Sequence, residues 1–389
     1  MIVVVGIGAD GMAGLSGEAR AELARAQTIY GSPRQLDLLD DSVSAQRREW
    51  PSPMLSALRS LPAGVHVLAS GDPLLHGVGG TLVRLFGPQQ VRVLPHISSV
   101  TLACARMGWT VPDTEVISLV TVTAEPHTAV RRGGRAVVLS RDASTPATLA
   151  RLLTDTGRGD SRLSVLEQLG GPAERRRDAT ASDWADQPPG DVDDLNVVAV
   201  HYLPDNRVAS SPDEAFDHDG QITKHGVRAV TLATLAARPG ELLWDVGAGS
   251  GSIAVEWARS ATGCAAIAFE RDEQRRDRIR RNAVAFGVRV EVRGPAPEAF
   301  DGAADPSVIF VGGGLTQPGL VDACVDRLPV NGRLVANAVT AESEAVLVQW
   351  YSLLGGELRR YQHYVGEPLG KFTGWRPAMP VTQWAVTKG

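Results

Sequence analysis

A chain of 389 residues with 43% hydrophobic content has room for about two or three ordinary domains with packed cores. Its formal net charge of −5 argues against a general nucleic-acid or acidic-membrane surface, so the expected ligand is small. Cys104, Cys264 and Cys324 form no C-x-x-C pair, which points to buried thiols in a reducing cytoplasm rather than to a disulfide framework or a zinc site, and no metal is expected. With no basic leader before residues 2–5 and no apolar run long enough to span a bilayer, a cytoplasmic location with no membrane partner is expected.

Residues 2–5 read as a β-branched strand entering Gly6-Ile7-Gly8-Ala9-Asp10-Gly11, with a helix over 17–26. A short strand at 28–30 leads into Gly31-Ser32-Pro33-Arg34-Gln35-Leu36, which opens another helix. Strands at 65–69 and 91–94 enter the polar loops Ser70-Gly71-Asp72-Pro73-Leu74-Leu75-His76-Gly77 and Pro95-His96-Ile97-Ser98-Ser99, and a helix continues to about residue 107. Strands alternating with helices imply a parallel sheet that binds ligands at its strand ends. A second α/β block follows, with strands at 115–120, 136–139, 162–167 and 196–202 and a helix near 146–153, while 183–194 reads as an exposed connection. Pro204, Ser210-Ser211-Pro212 and the acids around them break the pattern. The expected organisation is therefore a domain at 1–204 with lobes at 1–112 and 113–204, a linker at 205–220 and a domain at 221–389.

In the last of these, 224–237 reads as a helix. Strands follow at 242–246, 266–269, 289–292, 307–311 and 333–336, a doubly wound series, with further strands within 357–364 and 382–387. The first strand runs into Asp245-Val246-Gly247-Ala248-Gly249-Ser250-Gly251-Ser252, a glycine turn that opens a helix. Such a turn makes a nucleotide site, because glycine lets backbone approach a ligand and the helix's first amides are free to donate. Glu270 ends the next strand, where a carboxylate in such folds grips a ribose diol. A dinucleotide fingerprint needs glycine at 252, but Ser252 stands there and the third glycine is Gly251. This disfavours an NAD-linked oxidoreductase, and the pattern resembles the S-adenosylmethionine (SAM) site of Rossmann-like methyltransferases. A non-catalytic SAM-binding sensor is the other alternative, disfavoured by a second SAM-type site in one chain.

Several features have a purely structural alternative. Asp72 suits an Asx-turn and Ser98 a helix N-cap. Gly312-Gly313-Gly314 reads either as a flexible turn or as a floor that admits a flat macrocycle to backbone. The basic run from Arg275 to Arg281 is interleaved with Asp272, Glu273 and Asp277, so a solvated helix face is favoured over a nucleic-acid patch. His76, His96, His225 and His363 have no paired spacing suggesting a metal.

The N-terminal half resembles the tetrapyrrole methylases of corrin synthesis in Val5-Gly6-Ile7-Gly8 with Leu15-Ser16, in the S-G-D-P loop at 70–77 and in the segment 95–99. Ala9 stands where those methylases often carry proline, and His96 where glycine is more usual. Gly31-Ser32-Pro33-Arg34-Gln35-Leu36 and Leu166-Glu167-Gln168-Leu169-Gly170-Gly171-Pro172 narrow the likeness to the subfamily that methylates precorrin-6B. The C-terminal half resembles its decarboxylating partner in Ile222-Thr223-Lys224, Val227-Arg228-Ala229, the glycine turn and Gly294-Pro295-Ala296-Pro297-Glu298. The fused order resembles that of the decarboxylating precorrin-6Y C5,15-methyltransferases of cobalamin biosynthesis.

This resemblance implies an α/β protein, an N-terminal two-lobed tetrapyrrole methylase fold followed by a Rossmann-like SAM-dependent methyltransferase domain, with one SAM in each. It implies SAM contacts from Gly8, Gly71, Asp72, Leu75, Ser98 and Ser99 in the first site. In the second they come from Thr223, Asp245, Gly247, Ala248, Gly249, Ser250, Gly251, Glu270 and Ala296, with Gly312, Gly313 and Gly314 against the substrate. The implied reaction methylates precorrin-6B at C5 and C15 and removes the carboxyl of the C12 acetate, giving precorrin-8X. Methyl transfer asks for positioning and exclusion of water more than for catalytic side chains. Decarboxylation calls for one general acid, which no motif identifies. The expected partners are the tetrapyrrole and further copies of the chain, with no nucleic acid.

Overall fold

β-branched residues build the first sheet. Val3, Val4, Val5 and Ile7 are buried in β1 (Ile2–Ile7), which is joined by β2 (Thr28–Gly31), β3 (Gln46–Glu49), β4 (His66–Ser70) and β5 (Val91–Leu94) in the order β3-β2-β4-β1-β5. All pairings are parallel. The computed structural model describes residues 1–51, 54–121, 124–130, 133–204 and 210–389, and the chain forms two units, Met1–Asp205 and Asn206–Gly389. Successive side chains of a strand face opposite ways, so β1 feeds two cores. Val3, Val5 and Ile7 pack with Leu23 of α1 (Gly17–Ala24) and Leu36 of α2 (Pro33–Asp37). Ile2 and Val4 pack with Leu58 of α3 (Met54–Arg59) and Leu82 of α4 (Val78–Phe86).

The second lobe of this unit has a mixed sheet ordered β6-β7-β10-β8-β9, from β6 (Glu115–Ser118), β7 (Gly134–Leu139), β8 (Arg162–Glu167), β9 (Arg175–Thr180) and β10 (Asn196–Tyr202). Only the β6–β7 pair is parallel. Helix α5 (Ser99–Met107) fastens the lobes together, its Val100, Ala103 and Cys104 packing on Val137, Leu139, Leu166 and Ala199 of this sheet. The other face is covered by α6 (Thr145–Asp155) and α7 (Ala181–Asp186). Helix α7 occupies the start of the stretch read as an exposed connection, held by a capping box in which Thr180 and Asp183 exchange hydrogen bonds.

The second unit begins with α8 (His225–Leu235), then alternates β11 (Leu242–Val246), α9 (Ser252–Ser260), β12 (Ala265–Phe269), α10 (Glu273–Phe286), β13 (Val290–Arg293), β14 (Val308–Val311), α11 (Leu320–Arg327) and β15 (Arg333–Ala338). After α12 (Ala341–Leu354) come β16 (Glu357–Tyr361), a hairpin of β17 (Tyr364–Leu369) and β18 (Phe372–Pro377), and β19 (Val381–Thr387). Among the described residues the main sheet has seven strands, β13-β12-β11-β14-β15-β19-β16. It is parallel except that β19 runs antiparallel to both its neighbours. The order reverses between β11 and β14, which puts a ligand crevice at their carboxyl ends.

The segment read as a linker over 205–220 lies outside the described residues at 205–209. From 210 onward it is packed into the second unit: Ser211 is fully buried, and Phe216 stacks on Phe286 at 4.6 Å. Its polar composition serves hydrogen bonds inward, so polarity there is no sign of a free connection. All three cysteines are buried, and burial pushes the Cys324 thiol up to about 12. Among the described residues no helix is long and apolar enough to cross a membrane.

Candidate active sites

In the second unit the turn after β11 places Gly247, Gly249 and Gly251 in left-handed backbone, at φ 70°, 58° and 75°. A Cβ at Gly247 would lie 2.8 Å from the backbone of Gly313, so two glycine loops meet there main chain to main chain. At Gly249 a Cβ would meet only the Gln221 carbonyl, at 3.6 Å, and would otherwise face open space. The turn is pinned to its neighbours. The Gly247 and Ala248 amides donate to the Phe269 carbonyl at 2.9 and 3.2 Å, and the Gly312 amide donates to Val246 at 2.9 Å.

Beside this turn opens a cavity of about 1270 Å³. Thr223, Gly247, Ala248, Gly249, Glu270, Ala296, Gly312, Gly313 and Gly314 all line it. Asp245, Ser250 and Gly251 are not on its wall but packed behind it, where a Cβ at Gly251 would strike Ile279 at 2.8 Å. Sequence reasoning missed Lys224, Arg271, Arg275, Glu298, Gln317, Asn337, His363 and Met379, which also line the cavity. Folding brings them there from seven separate stretches; Lys224 and Glu298 lie within the strings that carry the resemblance and Arg275 within the basic run, while no local motif announces the others.

The Glu270 carboxylate is set before any ligand arrives. Its Oε2 accepts from the Gly249 amide at 2.8 Å and its Oε1 from the Asp272 amide at 3.0 Å, leaving each oxygen a further lone pair. Asp245 lies beneath, 1% exposed, and its Oδ2 accepts from the Ala254 amide at 3.0 Å. One of the amides opening α9 is thus taken by the protein itself and not left for a ligand. Burial raises the Asp245 carboxyl to about 7; the Ala254 bond opposes this and the nearby Glu270 charge adds to it. A clasp holds the facing wall. The fully buried Arg228 donates to the Thr223 and Ser211 carbonyls and to Asp213 at 3.1 Å, and lies 3.4 Å from Glu256 of α9. Residues 221–224 are thereby fixed over the glycine turn. The basic run of α10 is largely answered by acids: Arg275 and Arg278 reach Asp219 at 2.9 and 3.0 Å, and Arg281 reaches Asp217 at 2.7 Å.

In the first unit three loops converge at the carboxyl ends of β1, β4 and β5. A Cβ at Gly6 would lie 2.2 Å from the Gly71 carbonyl and 2.7 Å from the His96 amide nitrogen, and the Gly71 amide donates to Ile7 at 3.0 Å. Gly71, at φ 56°, faces Ile97, Ser98 and Ser99. Gly8, Gly71, Asp72, Leu75, Ser98 and Ser99 are all partly exposed around this junction. Both structural alternatives are realised: Asp72 Oδ1 accepts from the Leu74 amide at 2.8 Å, and Ser98 caps α5 by accepting from Thr101 at 3.0 Å. The two unusual residues have local partners. His96 lies 3.2 Å from Asp10 beside Gly8, and Ala9 packs so closely on Gly171 that a Cβ there would sit at 2.8 Å.

Two protein families match the chain, tetrapyrrole (corrin/porphyrin) methylases over residues 1–185 and a precorrin methyltransferase domain over residues 214–388. The chain is 71% identical, with both chains fully covered, to a precorrin-6Y C(5,15)-methyltransferase (decarboxylating) of Mycobacterium tuberculosis. Two relatives match less than half of it. One, of Pyrobaculum calidifontis, is named a probable cobalt-precorrin-6B C(15)-methyltransferase (decarboxylating), and is 37% identical over 44% of this chain and 91% of its own length. The other, a cobalt-precorrin-7 C(5)-methyltransferase of Salmonella typhimurium, is 31% identical over 45% of this chain and 88% of its own.

Proposed function

The chain belongs to the decarboxylating precorrin-6Y C5,15-methyltransferases, SAM-dependent enzymes of cobalamin biosynthesis, and from that premise we propose that its two units divide the chemistry, each with its own SAM. The first methylates C5. The second removes the C12 acetate carboxyl of precorrin-6B and methylates C15, and together they give precorrin-8X. The observation carrying this reading is that each unit has a complete junction of strand ends and glycine turns. That separate C(15)- and C(5)-methyltransferases each match just under half of the chain supports it.

The second cavity suits SAM. Glu270 offers acceptors to two hydroxyls, Gly249 leaves the space a ligand needs, and Val246, Phe269, Pro295 and Ala296 supply apolar wall. SAM, when bound, supplies a methyl group on a sulfonium, which transfers to an electron-rich meso carbon. The protein's part is to position both partners and keep water out. Lys224 and Arg271 on the wall are placed for the carboxylates of the macrocycle, whose flat face the glycines at 312–314 admit. In decarboxylation the bond to the carboxyl breaks, carbon dioxide leaves and the conjugated ring takes up the electron pair. A proton then completes the methyl group, and Lys224, Glu298 and His363 are the wall groups able to deliver it.

Paired variants test the division. Gly249→Val puts a β-branched residue at φ 58° with its side chain in the cavity mouth, and should abolish C15 methylation while C5 methylation of a C15-methylated substrate persists. Gly71→Val, at φ 56°, should do the reverse. Product analysis showing both methylations lost with either variant, or neither, would refute the division.

A further inference from the structure

The Gly31–Leu36 string contains a charge that the SAM site does not explain. Ser32 caps α2 in a capping box with Gln35, Pro33 opens the helix, and Leu36 enters the core. Gln35 Nε2 then donates to the Ser70 hydroxyl at 3.0 Å, and Arg34 Nη2 donates to the same oxygen at 2.7 Å. Ser70 immediately precedes the Gly71-Asp72 turn, so Arg34 is tethered at the edge of the loop junction. The guanidinium is half-buried, and burial lowers its pKa, with Asp193 of the second lobe opposing the shift from a distance. Among the described residues no carboxylate lies within 4.0 Å of it. Asp193 is already engaged, accepting from Gln168 at 2.9 Å and from the Leu195 amide at 2.7 Å. A guanidinium has five donors, and among the described residues only one of them is used here, by Ser70.

A partly desolvated cation with no counter-ion is costly unless a ligand completes it. We propose that Arg34 is a carboxylate anchor for the tetrapyrrole in the first unit, gripping an acetate or propionate side chain through the donors that Ser70 leaves free. The fork geometry matches a carboxylate, the macrocycle carries several, and the neutral tether fixes the fork without spending its charge. Arg34 is thus a specificity-determining residue, selecting a polycarboxylate ring over other flat substrates. The inference rests on the reading of the first unit as the C5 methylase.

The test compares Arg34→Met and Arg34→Lys with the wild type in the full chain, using macrocycle already methylated at C15 and following C5 methylation. Arg34→Met should raise KM for the macrocycle about tenfold to a hundredfold with kcat little changed, because a charged hydrogen-bonded pair is lost. Arg34→Lys, keeping charge but not the fork, should fall between. The KM of wild type should rise steeply with salt and that of Arg34→Met only weakly. SAM affinity of the first unit, measured by calorimetry in a Gly249→Val background, should be the same with and without Arg34→Met. An unchanged KM and salt dependence, or a loss of SAM affinity equal to the loss in KM, would overturn the anchor. If Arg34→Met fails to melt cooperatively, Arg34→Gln and Arg34→Lys decide by the same readouts. Persistence of C5 methylation in Gly71→Val would instead remove the premise, whatever Arg34 does.

Discussion

At the scale of single residues, the second site turns on two carboxylates with opposite tasks. Glu270 faces the cavity with its oxygens oriented by two backbone amides, so Glu270→Ala removes both acceptors proposed for the ribose hydroxyls and frees the Gly249 amide at once. SAM affinity of that unit should fall about tenfold to a hundredfold, equivalent to about 1.5–3 kcal/mol, and calorimetry giving the wild-type affinity would take Glu270 out of the site. Asp245 is the buried member. Its folded pKa of about 7 lies above the ordinary aspartate value of about 3.9, so the folded state holds a proton that the unfolded state releases. Stability from this group is therefore fully present below about pH 4 and is lost as pH rises towards 7. Asp245→Asn lacks this titration. Wild type should lose up to about 4 kcal/mol relative to Asp245→Asn between those limits, and a difference in melting midpoint that stays flat with pH would contradict it. Residue identity made both acids visible in the sequence. Its place at the end of a strand singled out Glu270; that Asp245 lies behind the cavity wall was not visible, because only the fold shows its carboxylate turned to the helix beneath the turn.

Among elements, legibility followed burial. Strands such as β1, β11 and β14 read clearly because both their faces are buried and β-branched or aromatic residues fill them. The missed strands β3 (Gln-Arg-Arg-Glu) and β9 (Arg-Arg-Arg-Asp-Ala-Thr) are sheet edges, where charge protects unpaired backbone and erases the apolar pattern. The hairpin β17–β18 was missed for another reason: among the described residues its side chains join no buried cluster, and Leu369, Phe372 and Trp375 are 69%, 80% and 75% exposed. Three large apolar side chains together on a two-stranded ribbon are a surface that water does not favour. They support the proposal that copies of the chain associate, with this hairpin at the contact. Replacing Phe372 and Trp375 together by Asp and Lys should lower the mass measured by light scattering by a whole-number ratio, with no change in far-ultraviolet dichroism. A wild-type protein that is monomeric at micromolar concentration would end the idea.

On the scale of the whole chain, the alternation of strands and helices announced two α/β regions, but composition misled at their junction. Ser211, Asp213 and Asp217 look like linker residues, yet they bind Arg228, Arg281 and Asn282 of the second unit. Polar residues recruited as hydrogen-bond partners carry the same letters as polar residues left in water. Among the described residues no strand of one unit enters a sheet of the other, and each core is drawn from one unit alone. Each should therefore fold by itself if the cut falls in 205–209, keeping the buried 211–217 segment with its partners. A fragment of residues 210–389 should melt cooperatively, bind one SAM, and release carbon dioxide while methylating C15, leaving C5 untouched. A fragment starting at 221 should not, because Arg228 and Glu256 then lose Ser211 and Asp213 and become buried charges with fewer partners, at a cost of about 3–5 kcal/mol. If the 221 fragment binds SAM as tightly as the 210 fragment, the clasp has no part in shaping the cavity. If the 210 fragment methylates C5, the assignment of carbons to units is reversed even though the family stands.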